Sequence, residues 1–194
     1  MTALIERIER KEAHVAVIGL GYVGLPVAAC LASAGFRVTG VDLKTDRVAA
    51  IAAGGCPIEG EEPGLAPMIA EVVRTGKLVA TTDYAPLATA DVVLIDVDTP
   101  VEGDNRPAYR ALRGACENLG AVMKDGVLVI VESTIAPGTV DSVVAPLLEK
   151  VSGKKRNEGF FLGHCPERVM PGRLLQNLTQ LSRVCGGSTP DTAR

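Results

Sequence analysis

Apolar runs alternate with amphipathic stretches along the whole chain. The apolar runs predict strands near residues 14–19, 36–42, 78–82, 91–98, 126–132, 159–164 and 181–186. The stretches between them predict helices near 1–12, 22–34, 44–53, 63–75, 109–123 and 138–150, and short helical turns near 84–89 and 172–178. Strands that alternate with helices are typical of an α/β fold with a doubly wound parallel sheet. We therefore expect one such domain over residues 1–194.

The first predicted strand runs directly into a glycine-rich turn. Gly19, Gly21 and Gly24 have the spacing Gly-x-Gly-x-x-Gly, and the second predicted strand ends on Asp42. In a Rossmann-type unit these glycines allow a tight turn, close approach of a pyrophosphate, and close packing of the helix on the strand. Asp42 lies where a carboxylate binds the adenosine ribose. The pattern predicts a dinucleotide site that prefers NAD, because a carboxylate repels the 2′-phosphate of NADP; Lys44 and Arg47 weaken that preference slightly.

Two further strand ends carry hydroxyl side chains, and ligands bind at the carboxyl ends of parallel strands. Thr99, followed by Pro100, is a candidate to line the ribose or pyrophosphate, and an ordinary turn is the alternative. Ser133 and Thr134 are candidates to face the nicotinamide and the reacting carbon, and a simple helix cap is the alternative.

The loop after the sixth predicted strand concentrates reactive side chains. Taken alone, Glu167 and Arg168 are more typical of a surface charge pair than of a catalytic element. Cys165 is a weak candidate nucleophile, because only Arg168 or His164 is near enough to activate it. We expect His164 to be packed and hydrogen-bonded at the strand end, with a role as general base as the alternative.

Two acidic residues, Asp96 and Asp98, share one face of the fourth predicted strand. Hydrogen bonds to neighbouring loop N–H groups are favoured over a metal site. With only 2 histidines and no Cys-x-x-Cys pair, the chain predicts no bound metal.

Composition argues against several classes of partner. The net charge is −3 and no run of basic residues marks a nucleic-acid-binding surface. No apolar run approaches the length of about 18 residues that predicts a membrane span. The 5 cysteines form an odd set without a signal peptide, which favours the cytoplasm. Cys30, Cys116 and Cys185 lie in apolar segments, so we expect these thiols to be buried.

Four motifs together resemble the amino-terminal domain of the UDP-glucose/GDP-mannose dehydrogenase family over essentially the whole chain. They are GLGYVGLP from Gly19, Thr99-Pro100, Glu132-Ser133-Thr134 with a following Pro-Gly-Thr, and CPERVMPG from Cys165. The Cys-Pro-Glu-Arg-Val form is most similar to the branch that acts on UDP-N-acetylmannosamine and UDP-N-acetylglucosamine. UDP-glucose enzymes have Pro-Glu-Phe-Leu at that place.

The resemblance implies an NAD-dependent, two-step oxidation of the C6 alcohol of a UDP-sugar to a carboxylate. A cysteine thiol carries the intermediate in that family, first as a thiohemiacetal and then as a thioester. The implied cofactor contacts come from Gly19, Gly21, Tyr22, Val23, Gly24, Asp42, Arg47, Thr99, Ser133 and Thr134. Thr134 is implied to order a catalytic water and Glu167 to act as acid and base. Glu167, Arg168 and Val169 are implied to contact the sugar nucleotide, the last two through backbone atoms.

Two departures limit what the resemblance implies. Pro171 replaces a second glutamate of the UDP-glucose enzymes, and the family's catalytic cysteine, lysine, asparagine and aspartate belong to segments beyond residue 194. We therefore expect the NAD-binding domain of a larger homodimeric or higher oligomeric enzyme, inactive without its dimerisation and substrate-binding domains. Two alternatives are a stand-alone, non-catalytic dinucleotide-binding module and a hydroxyacid dehydrogenase domain of the 6-phosphogluconate type. The coding sequence after Arg194 distinguishes the module from the enzyme.

Overall fold

A computed structural model describes residues 2–103 and 105–193. Its strands are β1 His14–Ile18, β2 Arg37–Val41, β3 Leu78–Thr81, β4 Val92–Ile95, β5 Val127–Val131, β6 Phe160–His164 and β7 Gly186–Gly187. They form one sheet in the order β3-β2-β1-β4-β5-β6-β7. The strands β1 to β6 all pair in parallel, so the predicted doubly wound parallel sheet is confirmed.

Helices connect the strands close to the predicted positions. They are α1 Thr2–Glu9, α2 Gly24–Ser33, α3 Thr45–Ala52, α4 Leu65–Arg74, α5 Arg110–Val122, α6 Ala145–Ser152 and α7 Leu174–Gln180. A 3₁₀ turn occupies Ala85–Thr89, and a π-turn at Val140–Val144 leads directly into α6. None of the helices in the described ranges is long and apolar enough to cross a bilayer.

The two faces of the sheet bury separate cores. In β1, Ala16 and Ile18 join the core that contains α5 and α6, whereas Val15 and Val17 join the core that contains α2 and α4. Successive side chains of a strand point to opposite faces, so a short, wholly apolar strand contributes to both cores. This central position of β1 places the turn that follows it in the middle of the sheet edge.

Two predicted strands are shorter in the structure. The run 91–98 is a strand only over Val92–Ile95, because the hydroxyl of Ser133 binds the N–H and the carbonyl of Val97 in place of a neighbouring strand. The predicted strand 181–186 was wrong over most of its length. Strand β7 covers only Gly186–Gly187 and is antiparallel to β6, and Arg183 in the preceding segment directs its guanidinium to Glu132 and the Cys165 carbonyl.

Candidate functional site

A cavity of about 650 Å³ opens at the carboxyl ends of β1, β2 and β4. The strand order reverses between β1 and β4, and open parallel sheets bind ligands at such a switch point. Helix α5 lines another side of the cavity with Arg110, Gly114 and Asn118, which share one face at a spacing of four residues. Its volume lies within the range typical of small-molecule and cofactor sites.

The glycine turn after β1 forms one wall of this cavity. A Cβ on Gly19 would lie 2.4 Å from the Asp96 carbonyl oxygen, and a Cβ on Gly24 would lie 1.9 Å from the Gly19 oxygen. Both positions therefore exclude a side chain. A Cβ on Gly21 would meet no atom closer than Arg47 Nη1 at 3.9 Å, so its missing side chain leaves space on the cavity side.

Backbone N–H groups at the start of α2 lie beside the same turn. The first helical hydrogen bond runs from the Leu25 N–H to the Gly21 carbonyl (3.2 Å), so the N–H groups of Tyr22, Val23 and Gly24 precede the helical ladder. Such groups, at the positive end of a helix, favour a phosphate. The side chains of Tyr22 and Val23 do not line the cavity, and the Tyr22 hydroxyl donates to Glu62.

The Asp42 carboxylate lies at the end of β2 and is almost completely buried. Its Oδ2 accepts the Leu20 N–H (2.9 Å) and Arg47 Nη1 (2.9 Å), and its Oδ1 accepts the Lys44 N–H (2.9 Å). Burial alone would raise the pKa of Asp42, but the Lys44 N–H, Arg47 and the Leu20 N–H together hold it below its usual value. A carboxylate accepts about four hydrogen bonds, so one acceptor position remains for a ligand hydroxyl.

These features fit a dinucleotide. The cavity combines open backbone at Gly21, unused N–H groups at a helix start, and an ionised carboxylate with a free acceptor position. Gly19, Gly21, Asp42 and Arg47 all line this cavity.

The hydroxyl candidates form a second group, at the ends of β4 and β5. The Ser133 hydroxyl donates to the Val97 carbonyl (2.8 Å) and accepts its N–H (3.0 Å), so the helix-cap alternative for Ser133 is wrong. Thr99 Oγ1 donates to the Thr134 carbonyl (2.6 Å), which ties the two strand ends together. The Thr134 side chain is exposed at this edge.

The loop after β6 lies beside this second group. The Glu167 N–H points at the Glu132 carbonyl (3.4 Å), and Glu167 Oε2 accepts the N–H of Val169 (2.7 Å). Glu167 is half-buried and Arg168 is exposed, so the two side chains do not form a buried ion pair. The structure therefore places the predicted site residues in two neighbouring groups along one edge of the sheet.

A buried charge cluster lies behind these two groups. Arg183 Nη2 contacts Glu132 Oε1 at 2.8 Å, and both Asp96 carboxylate oxygens are buried without a hydrogen-bond partner of normal geometry. Burial and the neighbouring Glu132 raise the pKa of Asp96 well above its usual value. The expectation that the Asp96 carboxylate binds loop N–H groups was wrong.

Two other expectations about this region were wrong in part. His164 lies at the strand end, but its Nε2 is buried without a hydrogen-bond partner. Cys185 is exposed rather than buried, since it lies just before the short edge strand β7, whereas Cys116 is buried as expected and Cys30 is half-buried. Within residues 2–103 and 105–193, no group of three or more His, Cys, Asp or Glu side chains is arranged to hold a metal ion.

Sequence reasoning missed several residues of the site. Tyr84, Arg110 and Asn118 line the cavity, and Glu62 connects the glycine turn to the loop after β6. The spacing of Arg110 and Asn118 along one face of a predicted helix was a usable signal for two of them. Glu62 had none, because its partners Gly172 and Leu174 are distant in the sequence.

Comparisons with known proteins agree with this geometry. Residues 13–194 match the model of the UDP-glucose/GDP-mannose dehydrogenase family, NAD binding domain. A UDP-N-acetyl-D-mannosamine dehydrogenase of Pyrococcus horikoshii is 40% identical over 93% of this chain. A UDP-N-acetyl-D-glucosamine 6-dehydrogenase of Pseudomonas aeruginosa is 36% identical over 94% of it. The chain spans 42% of the length of each relative. The solved structure of the Pyrococcus horikoshii UDP-D-ManNAc dehydrogenase superposes with a TM-score of 0.87, at 39% identity, over 93% of this chain and 42% of that one.

Proposed function

The chain belongs to the UDP-glucose/GDP-mannose dehydrogenase family, and we propose that it is the cofactor domain of an enzyme that oxidises the C6 alcohol of a UDP-sugar to a carboxylate. The matching region is the NAD-binding domain of that family, so the cofactor is NAD. The Cys-Pro-Glu-Arg-Val motif at Cys165 and the relatives' names favour UDP-N-acetylmannosamine or UDP-N-acetylglucosamine as the substrate. The complete protein is proposed to be a homodimer or a higher homo-oligomer.

The observation that carries the proposal is the cavity at the switch point. Gly19 and Gly21, with the N–H groups of Tyr22, Val23 and Gly24, are suited to a pyrophosphate. The free acceptor position of Asp42 is suited to an adenosine ribose hydroxyl, and Arg47 lies beside it at the adenine end.

Bound NAD would supply the hydride acceptor for C6 of the sugar in each of the two oxidation steps. Ser133 and Thr99 support this chemistry indirectly, because their hydroxyls are occupied in holding the ends of β4 and β5 in place. They are proposed to fix the wall along which the nicotinamide half of the cofactor lies.

The exposed Thr134 hydroxyl and the Glu167 carboxylate are the proposed water-handling groups. Glu167 would take a proton from the attacking water and return it to the leaving group, and Thr134 would orient that water by a hydrogen bond. Arg168 and Val169 are proposed to contact the sugar nucleotide through backbone atoms. The Val169 N–H already binds Glu167, so its carbonyl is the group that remains available.

Calorimetric titration of the chain with NAD and NADP tests the cofactor assignment. We expect tighter binding of NAD, and an Asp42→Asn variant should bind NAD about tenfold more weakly, because a charge-assisted hydrogen bond is lost. Asp46→Asn, an exposed carboxylate on α3, is the matched control and should bind as the parent does. Tighter binding of NADP by the parent chain would contradict the assignment.

A panel of nucleotide sugars tests the reaction. The complete gene product should form two NADH for each UDP-N-acetylated sugar that it converts to an acid, because an alcohol loses four electrons on the way to a carboxylate. The 194-residue chain should bind NAD but form no acid. Acid formation by this chain alone would show that its own residues supply the nucleophile.

A further inference from the structure

Two cysteines meet beside the loop that carries Glu167. The sulfur atoms of Cys165 and Cys185 are 3.0 Å apart, and both residues are free thiols. Cys165 directly follows β6, and Cys185 directly precedes β7. No function proposed above uses this contact.

The sheet register explains why these sulfurs meet. Gly163 pairs with Gly187 and His164 pairs with Gly186, so Cys165 and Cys185 are the next pair in the same antiparallel register. The Ser188 N–H donates to the Leu162 carbonyl (3.0 Å), which marks Leu162 and Ser188 as a hydrogen-bonded pair. Hydrogen-bonded and non-hydrogen-bonded pairs alternate along an antiparallel ladder. The cysteines therefore come at a non-hydrogen-bonded position.

This position suits a disulfide. The Cα atoms of a non-hydrogen-bonded pair are about 4.5 Å apart, with the side chains close together. Disulfides span Cα separations of about 4.4–6.8 Å. The sulfurs are 3.0 Å apart and need to approach by about 1 Å to reach the length of an S–S bond.

The two thiols differ in their access to solvent. Cys185 is exposed, so a small oxidant reaches its sulfur directly. Cys165 is buried, and burial together with the Cys185 thiol raises the pKa of Cys165 to about 12. Cys165 is therefore a poor first target and a well-placed second partner, which also argues against Cys165 as a catalytic nucleophile.

We propose that Cys165 and Cys185 are a reversible disulfide site, oxidised by a peroxide and reduced by a dithiol. Peroxide first transfers one oxygen to the Cys185 sulfur, which gives a sulfenic acid and releases one water. The Cys165 sulfur then attacks the Cys185 sulfur; the S–S bond forms, the S–O bond breaks, and a second water leaves. In total, two thiols lose two electrons and two protons, and one peroxide becomes two waters.

The disulfide would hold the start of the loop after β6 to the segment before β7. The Cys165 carbonyl already accepts Arg183 Nη2 (3.0 Å), so the covalent bond would add to an existing attachment at the same residue. An effect of this bond on Glu167 chemistry rests on the proposed function. Formation of the bond itself does not, and the experiment below measures the bond alone.

Peptide mapping of the purified chain tests the proposal. The reduced chain is treated with hydrogen peroxide under native conditions, its free thiols are blocked, and it is digested with trypsin. The 5 free thiols should fall to three, and peptides 157–168 and 184–194 should appear linked. Dithiothreitol should restore all of the thiols. The link should form about tenfold or more faster than in the chain unfolded in urea, because the folded register holds the sulfurs together.

Two variants provide the controls. Cys185→Ser should abolish the linked peptides and leave Cys165 free, whereas Cys56→Ser, a half-buried cysteine elsewhere, should retain the link. Three results would each overturn the proposal: Cys185 oxidised to the sulfinic acid with Cys165 still free, chains linked to one another through Cys185, or equal rates of linkage in the native and unfolded chains.

Discussion

Gly21 and Gly24 differ in what surrounds the side chain that each of them lacks. Gly24→Ala would force a Cβ to 1.9 Å from the Gly19 oxygen, whereas Gly21→Ala would place a Cβ in open space beside the cavity. We expect Gly24→Ala to lower the free energy of unfolding by about 3 kcal/mol, because two backbone segments must separate. Gly21→Ala should change stability by about 0.5 kcal/mol or less.

The same pair of variants separates folding from cofactor binding. Gly21→Ala should weaken NAD binding about tenfold at nearly unchanged melting temperature, because the added methyl group stands where a pyrophosphate approaches the backbone. Gly103→Ala, with nothing within 4 Å of its added Cβ, is the control for stability and binding. Unchanged NAD affinity in Gly21→Ala would place the cofactor's phosphates elsewhere. Thermal unfolding and calorimetry supply the two measurements.

Residues of the first βαβ unit were predictable because their partners lie close in the sequence. Gly19 contacts Gly24 within one turn, and Asp42 binds the N–H of Leu20 at the adjacent strand end. Glu62 was not predictable, since its carboxylate joins three groups from distant segments. Asp96 was mispredicted because the group that affects its pKa most strongly besides burial, Glu132, follows the neighbouring strand β5 and is distant in the sequence.

At the scale of elements, Glu62 connects the glycine turn with the start of α7. Its Oε1 accepts the Gly172 N–H (2.6 Å) and the Tyr22 hydroxyl, and its Oε2 accepts the Leu174 N–H (3.0 Å). Burial and the hydrogen bond to Glu62 raise the pKa of Tyr22 to about 12, so the hydroxyl stays protonated as the donor. One carboxylate therefore links the proposed cofactor loop to the segment after the proposed substrate loop.

Hydrogen exchange can separate the two connections of Glu62. In Glu62→Gln one acceptor oxygen becomes an NH₂ group, so whichever of the Gly172 and Leu174 amides faces it should exchange about tenfold faster, which corresponds to the loss of about one hydrogen bond. Tyr22→Phe removes only the hydroxyl contact and should leave both amides protected. Equal acceleration in the two variants would show that the whole region loosens together and that Glu62 has no separate role at α7.

A buried carboxylate, Asp91, attaches helix α1 to the sheet in addition to the apolar contacts of Leu4 and Ile8. The helix has no fully buried residue of its own, and its Arg7 Nη1 contacts Asp91 Oδ1 at 2.6 Å. Asp91 also accepts the His14 N–H (2.7 Å) and pairs with Lys124 beyond the end of α5. This carboxylate therefore joins α1, β1 and the segment after α5.

Asp91→Asn should lower the free energy of unfolding by about 2 kcal/mol, because charged hydrogen bonds at a buried acceptor are lost. The amides of α1 should exchange fastest, since the helix loses its attachment to the sheet edge. Glu6→Gln, on the exposed face of α1, is the control and should change neither quantity. Full protection of α1 in Asp91→Asn would show that its apolar face alone holds it.

The strands that were predicted well are those with buried apolar runs on both faces. β1 and β5 have parallel neighbours on each side, and hydrophobic patterning alone determines them. β7 lies at the edge, and its segment is governed by the Arg183 contact with Glu132, which hydrophobic patterning does not reveal. The antiparallel register of β7 with β6 brings Cys185 opposite Cys165.

At the scale of the whole molecule, two buried carboxyl groups, Asp91 and Asp96, change the free energy of unfolding with pH in opposite directions. Although burial raises the pKa of Asp91, Lys124 and the His14 N–H lower it further, so its net pKa is below the usual value of 3.8. The contribution of Asp91 to stability is present above pH 3.8 and is lost as the pH falls through its folded-state pKa.

Asp96 has the opposite effect on stability, because its pKa is raised well above 3.8. The folded chain binds this proton more tightly than the unfolded chain does, so stability is lost as the pH rises from 3.8 through the folded-state pKa of Asp96.

Comparison of the parent chain with Asp96→Asn isolates the second effect. The parent should lose stability relative to the variant as the pH rises above 3.8, by at most about 1.4 kcal/mol per pH unit for one proton. Asp91→Asn is the control of opposite sign, since the parent should gain stability relative to that variant as the pH rises from below 3.8. Urea unfolding at a series of pH values measures both differences.

A constant difference in the free energy of unfolding between the parent and Asp96→Asn would mean that Asp96 ionises in the folded chain as readily as in the unfolded one. An ionised Asp96 would then lie beside Glu132, and Arg183, which contacts Glu132, would be the cation that offsets its charge.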